Sequence, residues 1–125
     1  MSWDAYTDQL KQQGCEHAAI VGLDGNPWTT QSPNFIITQA EALKIIQGYQ
    51  DQSNFQASGI ILGGEKFMFL RLDGQCIAGK KGSRPIAIRK INTALVIGVG
   101  SESTQPGTLR TAVEKQGDYL SSLNY

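Results

Sequence analysis

Hydrophobic residues recur with a helical period at the start, in the middle and at the end of the chain. The first stretch has Ser2 as a candidate N-cap, and its apolar stripe consists of Trp3, Tyr6 and Leu10. A capping box from Thr38 to Glu41 opens the middle stretch, FIITQAEALKIIQGYQ. The following segment, DQSNFQASG, is interpreted as a loop or a short helix. A last helix is predicted over TLRTAVEKQGDYLSSL, with Pro106 near its first turn.

Strand patterns fill the remaining sequence. HAAIVGLDGNPWTT predicts a strand, a turn and a second strand, and from residue 59 onward the predicted strands are GIIL, KFMFLRL, CIAGKK, IAIRKI and ALVIGVG. Short links with turn residues join them, which is typical of an antiparallel meander. ALVIGVG is almost continuously apolar, which indicates a strand in the middle of the sheet. The chain is therefore predicted to be an α+β domain, an antiparallel sheet with helices on its faces.

Composition indicates a globular protein with one domain over residues 1–125. Hydrophobic residues make up 40% of the chain and charged residues 18%, which fits a folded chain of this length. The longest apolar run falls short of the roughly 20 residues of a membrane span, and the start does not have the pattern of a signal peptide. We therefore expect a cytoplasmic protein with reduced thiols at Cys15 and Cys76, although their spacing leaves a disulfide open.

Charge is distributed unevenly although the formal net charge is zero. Residues 1–65 contain two bases and seven acids, whereas the segment from Lys66 to Lys90 contains seven bases and only one acid, Asp73. This asymmetry indicates either a positive surface that faces an acidic partner or a solvated face of the sheet.

Catalytic patterns are weak. The segment GQCIAGKK nearly matches the phosphate loop GxxxxGK[ST], but Lys81 stands where the motif needs a hydroxyl, and a strand follows instead of a helix. His17 is the only histidine, and the cysteines and carboxylates lack metal-ligand spacing. Glu114 and Asp118 are interpreted as solvated acids on a helix. The sequence therefore favours a binding protein that is not an enzyme and uses no cofactor.

Tryptophan and tyrosine are concentrated near the two ends of the chain. In the last helix the predicted buried stripe contains Leu109, Ala112, Val113, Gln116 and Leu120. Tyr119 lies on the flank of that stripe. If the first and last helices pack side by side, Trp3 and Tyr6 meet Tyr119 and Tyr125, and Trp28 joins them from the first hairpin. Such an aromatic groove is typical of surfaces that bind polyproline-type ligands, and the alternative is that the aromatics only hold the first helix on the sheet.

Five stretches together resemble the profilin family over essentially the whole chain. They are MSWDAY at the start, LDGNPW, the GKKG tip, ALVIGVG followed by QPGT, and VEKQGDYL in the last helix. The similarity is greatest to the short profilins of lower eukaryotes. It implies a central antiparallel sheet of about six to seven strands, with the N- and C-terminal helices together on one face and one or two short helices on the other.

The resemblance also implies three sets of binding residues. The polyproline-binding aromatics fall on Trp3, Tyr6, Trp28, Tyr119 and Tyr125. The actin-binding residues fall on Arg71, Lys80, Lys81, Lys90, Thr111 and Lys115. The phosphoinositide-binding residues fall on Lys66, Arg71, Lys80, Lys81 and Arg84.

The leading hypothesis is a monomeric protein that binds monomeric actin and regulates filament assembly, through delivery to barbed ends and nucleotide exchange. It also docks proline-rich proteins such as formins and binds phosphoinositides, in the cytoplasm, the cytoskeleton and the cell cortex. The alternative is a peripheral module that binds anionic lipid through the basic patch between Lys66 and Lys90. The third hypothesis is an enzyme built on the near phosphate loop.

Overall fold

The computed structural model describes residues 3–29 and 35–125. Its helices are α1 (Asp4–Gln12), α2 (Gln39–Gln50), α3 (Ser53–Ser58) and α4 (Pro106–Ser122). Its strands are β1 (Cys15–Gly22), β2 (Ile60–Leu62), β3 (Glu65–Asp73), β4 (Cys76–Lys81), β5 (Arg84–Lys90) and β6 (Ala94–Gly100). The candidate cap Ser2 lies outside the described residues. The predicted capping box is confirmed, because Thr38 Oγ1 accepts from Glu41 N at 3.2 Å and Glu41 Oε1 accepts from Thr38 N at 3.1 Å.

The six strands form one antiparallel sheet in the order β1-β6-β5-β4-β3-β2. Strands β2 to β6 pair with their sequence neighbours, which confirms the predicted meander. All seven residues of β6 are buried between β1 and β5, as the apolar run ALVIGVG predicts.

Each face of the sheet carries its own hydrophobic core. One face, called here the α1/α4 face, packs Leu10 of α1 and Leu109, Val113 and Leu120 of α4 on strand residues such as Ile20 and Val96. The other, called the α2/α3 face, packs Ala42, Ile45 and Phe55 of the short helices on strand residues such as Phe67 and Ile97. This arrangement confirms the predicted α+β class, with the first and last helices on one face and the short helices on the other.

The second predicted strand of the first hairpin is reduced to local contacts in the described residues. Val21 and Pro27 form an isolated bridge. Trp28 N donates to Ile20 O at 2.8 Å, and Ile20 N donates to Thr29 Oγ1 at 3.2 Å. These bonds fix Trp28 beside β1. Thr30, the last residue of the predicted stretch, lies outside the described residues.

Helix α4 lies close to the sheet along its predicted stripe. Pro106 starts the helix, and the buried residues include all five of the predicted positions together with Gly117. Gly117 lies directly over Arg89 of β5, whose side chain reaches Asp118, with 2.8 Å between Arg89 Nη1 and Asp118 Oδ1.

The two cysteines are free and buried. Cys15 is on β1 and Cys76 on β4, and strands β6 and β5 lie between them. Three strand spacings amount to roughly 14 Å, well beyond the Cα separation of about 7 Å that a disulfide spans. Burial raises the pKa of each thiol to about 11.

Candidate functional site

Five aromatic side chains form one cluster where α1 meets the end of α4. The ring centroids of Trp3 are 5.5 Å from Tyr6, 4.8 Å from Trp28 and 4.7 Å from Tyr125. Tyr6 is 6.0 Å from Tyr119, and Trp28 is 6.4 Å from Tyr125. The structure therefore brings together all five residues that the sequence suggested for an aromatic groove.

The cluster has a buried floor and an open rim. Tyr6 is only 7% exposed, Trp3 and Trp28 are half-buried, and Tyr119 and Tyr125 are 52% and 37% exposed. Within residues 3–29 and 35–125, none of the indole N–H or tyrosine hydroxyl groups of the cluster hydrogen-bonds another residue. Exposed tyrosine rings with polar tips thus lie beside half-buried indoles, which suits an amphipathic ligand.

The basic residues of the second half do not form one patch. Strand alternation places Lys80 on the α1/α4 face, with Cys76, and Lys81 on the α2/α3 face, with Ile77. Lys66 of β3 lies on the α1/α4 face with Lys80, because the next residue, Phe67, belongs to the opposite core, and Arg71 lies there because it pairs with Ala78 of β4. Arg84 lies on the same face as Lys81, because Ile86 and Ile88, the alternate positions along β5, belong to the α2/α3 core.

Lys81 and Arg84 form ion pairs with acidic residues of the same chain. Lys81 Nζ lies 3.1 Å from Glu65 Oε1, and Arg84 Nη1 lies 3.2 Å from the same oxygen. The hydrogen bond from Lys81 is the main cause that lowers the pKa of Glu65. Arg84 also approaches Glu16, with 4.0 Å from Nε to Oε2. These two cations are already neutralised on the face opposite to Lys80.

Lys90, also implied for actin binding, lies on a different face from Arg71 and Lys80. It pairs with Leu95 across β5 and β6, and Leu95 belongs to the core of the α2/α3 face. Paired residues in an antiparallel ladder point to the same face. Of the six residues implied for actin, Lys81 and Lys90 therefore lie on the α2/α3 face, and the structure does not bring them together with the others.

An open, mainly apolar cleft of about 570 Å³ lies on the α1/α4 face, between β3 to β5 and the first turns of α4. Arg71, Lys80 and Arg110 surround it, and its apolar lining includes Leu70, Ala78, Pro85 and Pro106. Lys80 has no ion-pair partner within residues 3–29 and 35–125, whereas Arg110 is 3.1 Å from Asp73 Oδ2. Thr111 and Lys115 line a second, shallower cleft that shares Gly107 with the first.

Two exposed apolar residues beside this cleft were not predicted. Met68 and Leu70 are 60% and 51% exposed. Alternation from the buried Phe67 places both residues on the α1/α4 face, where Leu70 lines the cleft. The bulge between Phe69 and Arg71 brings Arg71, which pairs with Ala78, to that same face, and a bulge has no equally clear sequence signal.

The weak catalytic candidates take structural positions. The GQCIAGKK segment lies in β4 and is followed by β5, so the near phosphate loop lacks the helix N-terminus that holds a phosphate. The His17 ring stacks on Phe35 at 4.7 Å. Among the described residues, no group of three or more potential ligands is placed to hold a metal ion.

The fold and these surfaces define a class of small binding protein, with an aromatic cluster at one end of α4 and a cleft with a cationic rim at the other. Comparison with known proteins identifies the family. A family model for profilin matches residues 1–125. Profilin-A of Physarum polycephalum is 38% identical, and the alignment covers 100% of each chain.

Solved structures agree with this match. The crystal structure of Acanthamoeba castellanii profilin II has a TM-score of 0.91 and 33% identity, with 99% of this chain and 100% of that chain covered. Mouse profilin IIa, in complex with a double repeat from the FH1 domain of mDia1, has a TM-score of 0.82 and 28% identity, with 100% of both chains covered. The chain belongs to the profilin family.

Family membership confirms two predictions made from the sequence. The resemblance to profilin is correct over the full length. Profilins are actin-binding proteins and not enzymes, so the interpretation as a binding protein is also confirmed. In the described residues, no helix has the length and apolar character needed to span a bilayer.

Proposed function

We propose that this protein binds monomeric actin, regulates filament assembly by nucleotide exchange and delivery to barbed ends, and docks proline-rich ligands such as those of formins. The aromatic cluster, with its exposed rim of Tyr119 and Tyr125, is the observation that supports proline binding. The likeness to mouse profilin IIa, which is in complex with a formin FH1 repeat, supports the same ligand class.

The chemistry of the cluster matches a proline-rich segment. Proline has no backbone N–H, so such a segment offers carbonyl acceptors and apolar rings but few donors. The indole and hydroxyl groups of Trp3, Trp28 and Tyr119 supply the donors, and the rings supply the apolar surface. The polyproline II conformation is already extended, which lowers the ordering entropy lost on binding.

The proposed actin-binding surface surrounds the first turns of α4. It consists of Arg71, Lys80, Thr111 and Lys115, with Met68 and Leu70 as apolar neighbours on the same face. An apolar centre with a charged rim is the usual anatomy of a protein interface. Arg110 and Tyr119 lie nine residues apart on α4, about 13 Å along its axis, so one molecule has room for actin and a proline-rich recruiter together.

We also propose that the protein binds phosphoinositides. Lys66, Arg71 and Lys80 share the α1/α4 face, so anionic head groups would compete there with actin. Lys81 and Arg84 lie on the opposite face and pair with Glu65, so they do not add to this set, which favours the actin-binding protein over a dedicated lipid module. We further propose that residues 1–125 act as one monomeric domain in the cytoplasm, the cytoskeleton and the cell cortex.

A pair of neighbouring lysines tests the actin-binding surface. Lys80→Ala removes an unpaired cation from the surface, whereas Lys81→Ala removes a cation from the opposite face and serves as the matched control. We expect Lys80→Ala to weaken binding to monomeric actin, measured by fluorescence of labelled actin, by more than Lys81→Ala does. Both variants should retain affinity for a proline peptide. Equal losses of actin affinity would contradict the assignment of the surface to the α1/α4 face.

A further inference from the structure

Helix α4 ends in a left-handed turn that reverses the chain after Leu123. Asn124 has φ = 72°, and it is the only residue other than glycine with a positive φ in the described part of the chain. Asn124 N donates to Ser121 O at 3.0 Å, and Tyr125 N donates to Leu120 O at 3.1 Å. These two bonds are the 5→2 and 6→1 bonds of a Schellman motif, with Asn124 at the left-handed position.

This turn determines where the fifth aromatic ring lies. It directs Tyr125 back toward α1, where its ring meets Trp3 edge-on at 4.7 Å. Thr93, in the link between β5 and β6, donates from Oγ1 to Tyr125 O at 3.2 Å. The position of Tyr125 over Trp3 therefore depends on one backbone conformation and one side-chain hydrogen bond.

Few residues adopt the conformation that this turn requires. Glycine enters the left-handed region without steric cost, asparagine tolerates it because its side chain bonds locally, and β-branched residues are genuine outliers there. Leu123 and Ser122, the neighbouring positions, are under no such restriction, because their φ is not positive. Asn124 is thus the position at which the identity of the side chain controls the turn.

We propose that Asn124 is a positioning residue for the proline-rich ligand, with Thr93 as its secondary support. Asn124 holds the left-handed turn that keeps Tyr125 over Trp3, and so it preorganises one wall of the aromatic cluster before the ligand arrives. Preorganisation improves affinity because the ordering cost is already met in the free protein. This inference rests on the proposed proline-binding function.

A matched pair of substitutions tests the role of the turn. Asn124→Gly keeps the left-handed conformation, whereas Asn124→Val disfavours it, and neither removes an aromatic ring. For a decaproline peptide, Asn124→Val should weaken binding by at least about fivefold, the factor that corresponds to about 1 kcal/mol. Asn124→Gly should remain within about twofold of the parent protein, and Thr93→Val should fall between the two.

The mechanism also predicts dependence on Tyr125. Because Asn124 acts through Tyr125, Asn124→Val should cost no further affinity in a protein that already carries Tyr125→Ala. Near-UV circular dichroism of the free proteins gives a readout without ligand, and Asn124→Val should resemble Tyr125→Ala there, while both keep the thermal midpoint of the parent within a few degrees.

Three results would overturn the proposal. The first is an unchanged decaproline affinity in Asn124→Val. The second is a loss of affinity in Asn124→Gly as large as that in Asn124→Val. The third is a further loss on adding Asn124→Val to Tyr125→Ala that is as large as the loss in the parent protein. If the parent protein itself does not bind decaproline, the proline-binding function fails and so does the ligand role of Asn124. The dichroism comparison then still decides whether Asn124 positions Tyr125.

Discussion

Replacement of Gly117 by alanine tests how closely α4 packs on the sheet. A Cβ at this position would lie 2.4 Å from Arg89 Cγ and 3.4 Å from Arg89 Cβ and Cδ. The contacted atoms belong to the stem of Arg89, which is held at its far end by Asp118 at 2.8 Å. Arg89 must therefore move, or α4 must rise from β5.

Two opposing effects set the magnitude. Alanine is favoured over glycine inside a helix by about 1 kcal/mol, whereas forcing an extra carbon into a packed interface typically costs about 1–3 kcal/mol. Loss of the partly exposed Arg89–Asp118 pair adds at most about 1 kcal/mol. Gly107 is the matched control, because it lies in the same helix and an added Cβ there meets no atom within 4 Å. The free energy of unfolding of Gly117→Ala should therefore be roughly 1–3 kcal/mol lower than that of Gly107→Ala.

Urea denaturation followed by far-UV circular dichroism measures this difference from the two transition midpoints. Gly107→Ala should match or exceed the parent protein in stability, and Gly117→Ala should fall below Gly107→Ala. If Gly117→Ala is as stable as Gly107→Ala, the close packing of α4 over Arg89 is wrong.

Three further predictions concern buried and paired groups. Tyr49→Phe should lower the free energy of unfolding by about 0.5–1.5 kcal/mol in urea denaturation, because the single proton of the Tyr49 hydroxyl is shared between the carbonyls of Gln75 and Ile88, each 2.9 Å away; an unchanged midpoint would contradict this bond. Cys15 and Cys76 should resist a thiol reagent at pH 8 and react once urea unfolds the chain, because burial raises both pKa values to about 11; fast reaction of the folded protein would refute their burial. The folded-state pKa of Glu65 is lowered from 4.5, mainly by the hydrogen bond from Lys81, so its stabilisation is present above about pH 4.5 and is lost as pH falls through the folded-state pKa. The stability advantage of the parent over Glu65→Gln should shrink in acid accordingly, and a constant difference from pH 7 to pH 3 would exclude this linkage.

Local patterns predicted much of the fold. The stripe of α4 follows from helical spacing, and both the capping box at Thr38 and the buried β6 are encoded by neighbouring residues. The meander follows from short links with turn residues between consecutive strands. Each of these features depends on residues that are close in sequence, where propensity and period act directly.

The faces and the ion-pair partners of the basic residues could not be predicted from their positions along the chain. Lys80 and Lys81 are adjacent in sequence, yet the period of two in a strand places them on opposite faces. Glu65 is 16 positions away from Lys81, and sequence gives no direct indication that it pairs with Lys81 and Arg84. A grouping of cations by closeness along the chain therefore overestimates the size of a charged surface.

The sequence indicated which residues form the aromatic cluster, but not how each ring is held in place. The angular position of Tyr119 on α4 and the helical spacing of Trp3 and Tyr6 indicated that these rings meet if the helices pack together. The position of Tyr125 depends instead on the left-handed turn at Asn124 and on Thr93, which lies 32 residues away. The spacing of hydrophobic residues along the chain does not predict such a turn.

Intrinsic tryptophan fluorescence tests the proline-binding claim most directly. Trp3 and Trp28 are the only tryptophans, and both lie in the cluster, so a titration with a polyproline peptide of about ten residues, roughly three turns of polyproline II, reports on the site itself. We predict a saturable change in the parent protein. Trp3→Ala that remains folded should lose roughly 1–3 kcal/mol of binding free energy, as expected for a central aromatic contact. A flat titration with folded parent protein would mean that Trp3 and Tyr6 only hold α1 on the sheet, and it would contradict the proposed function.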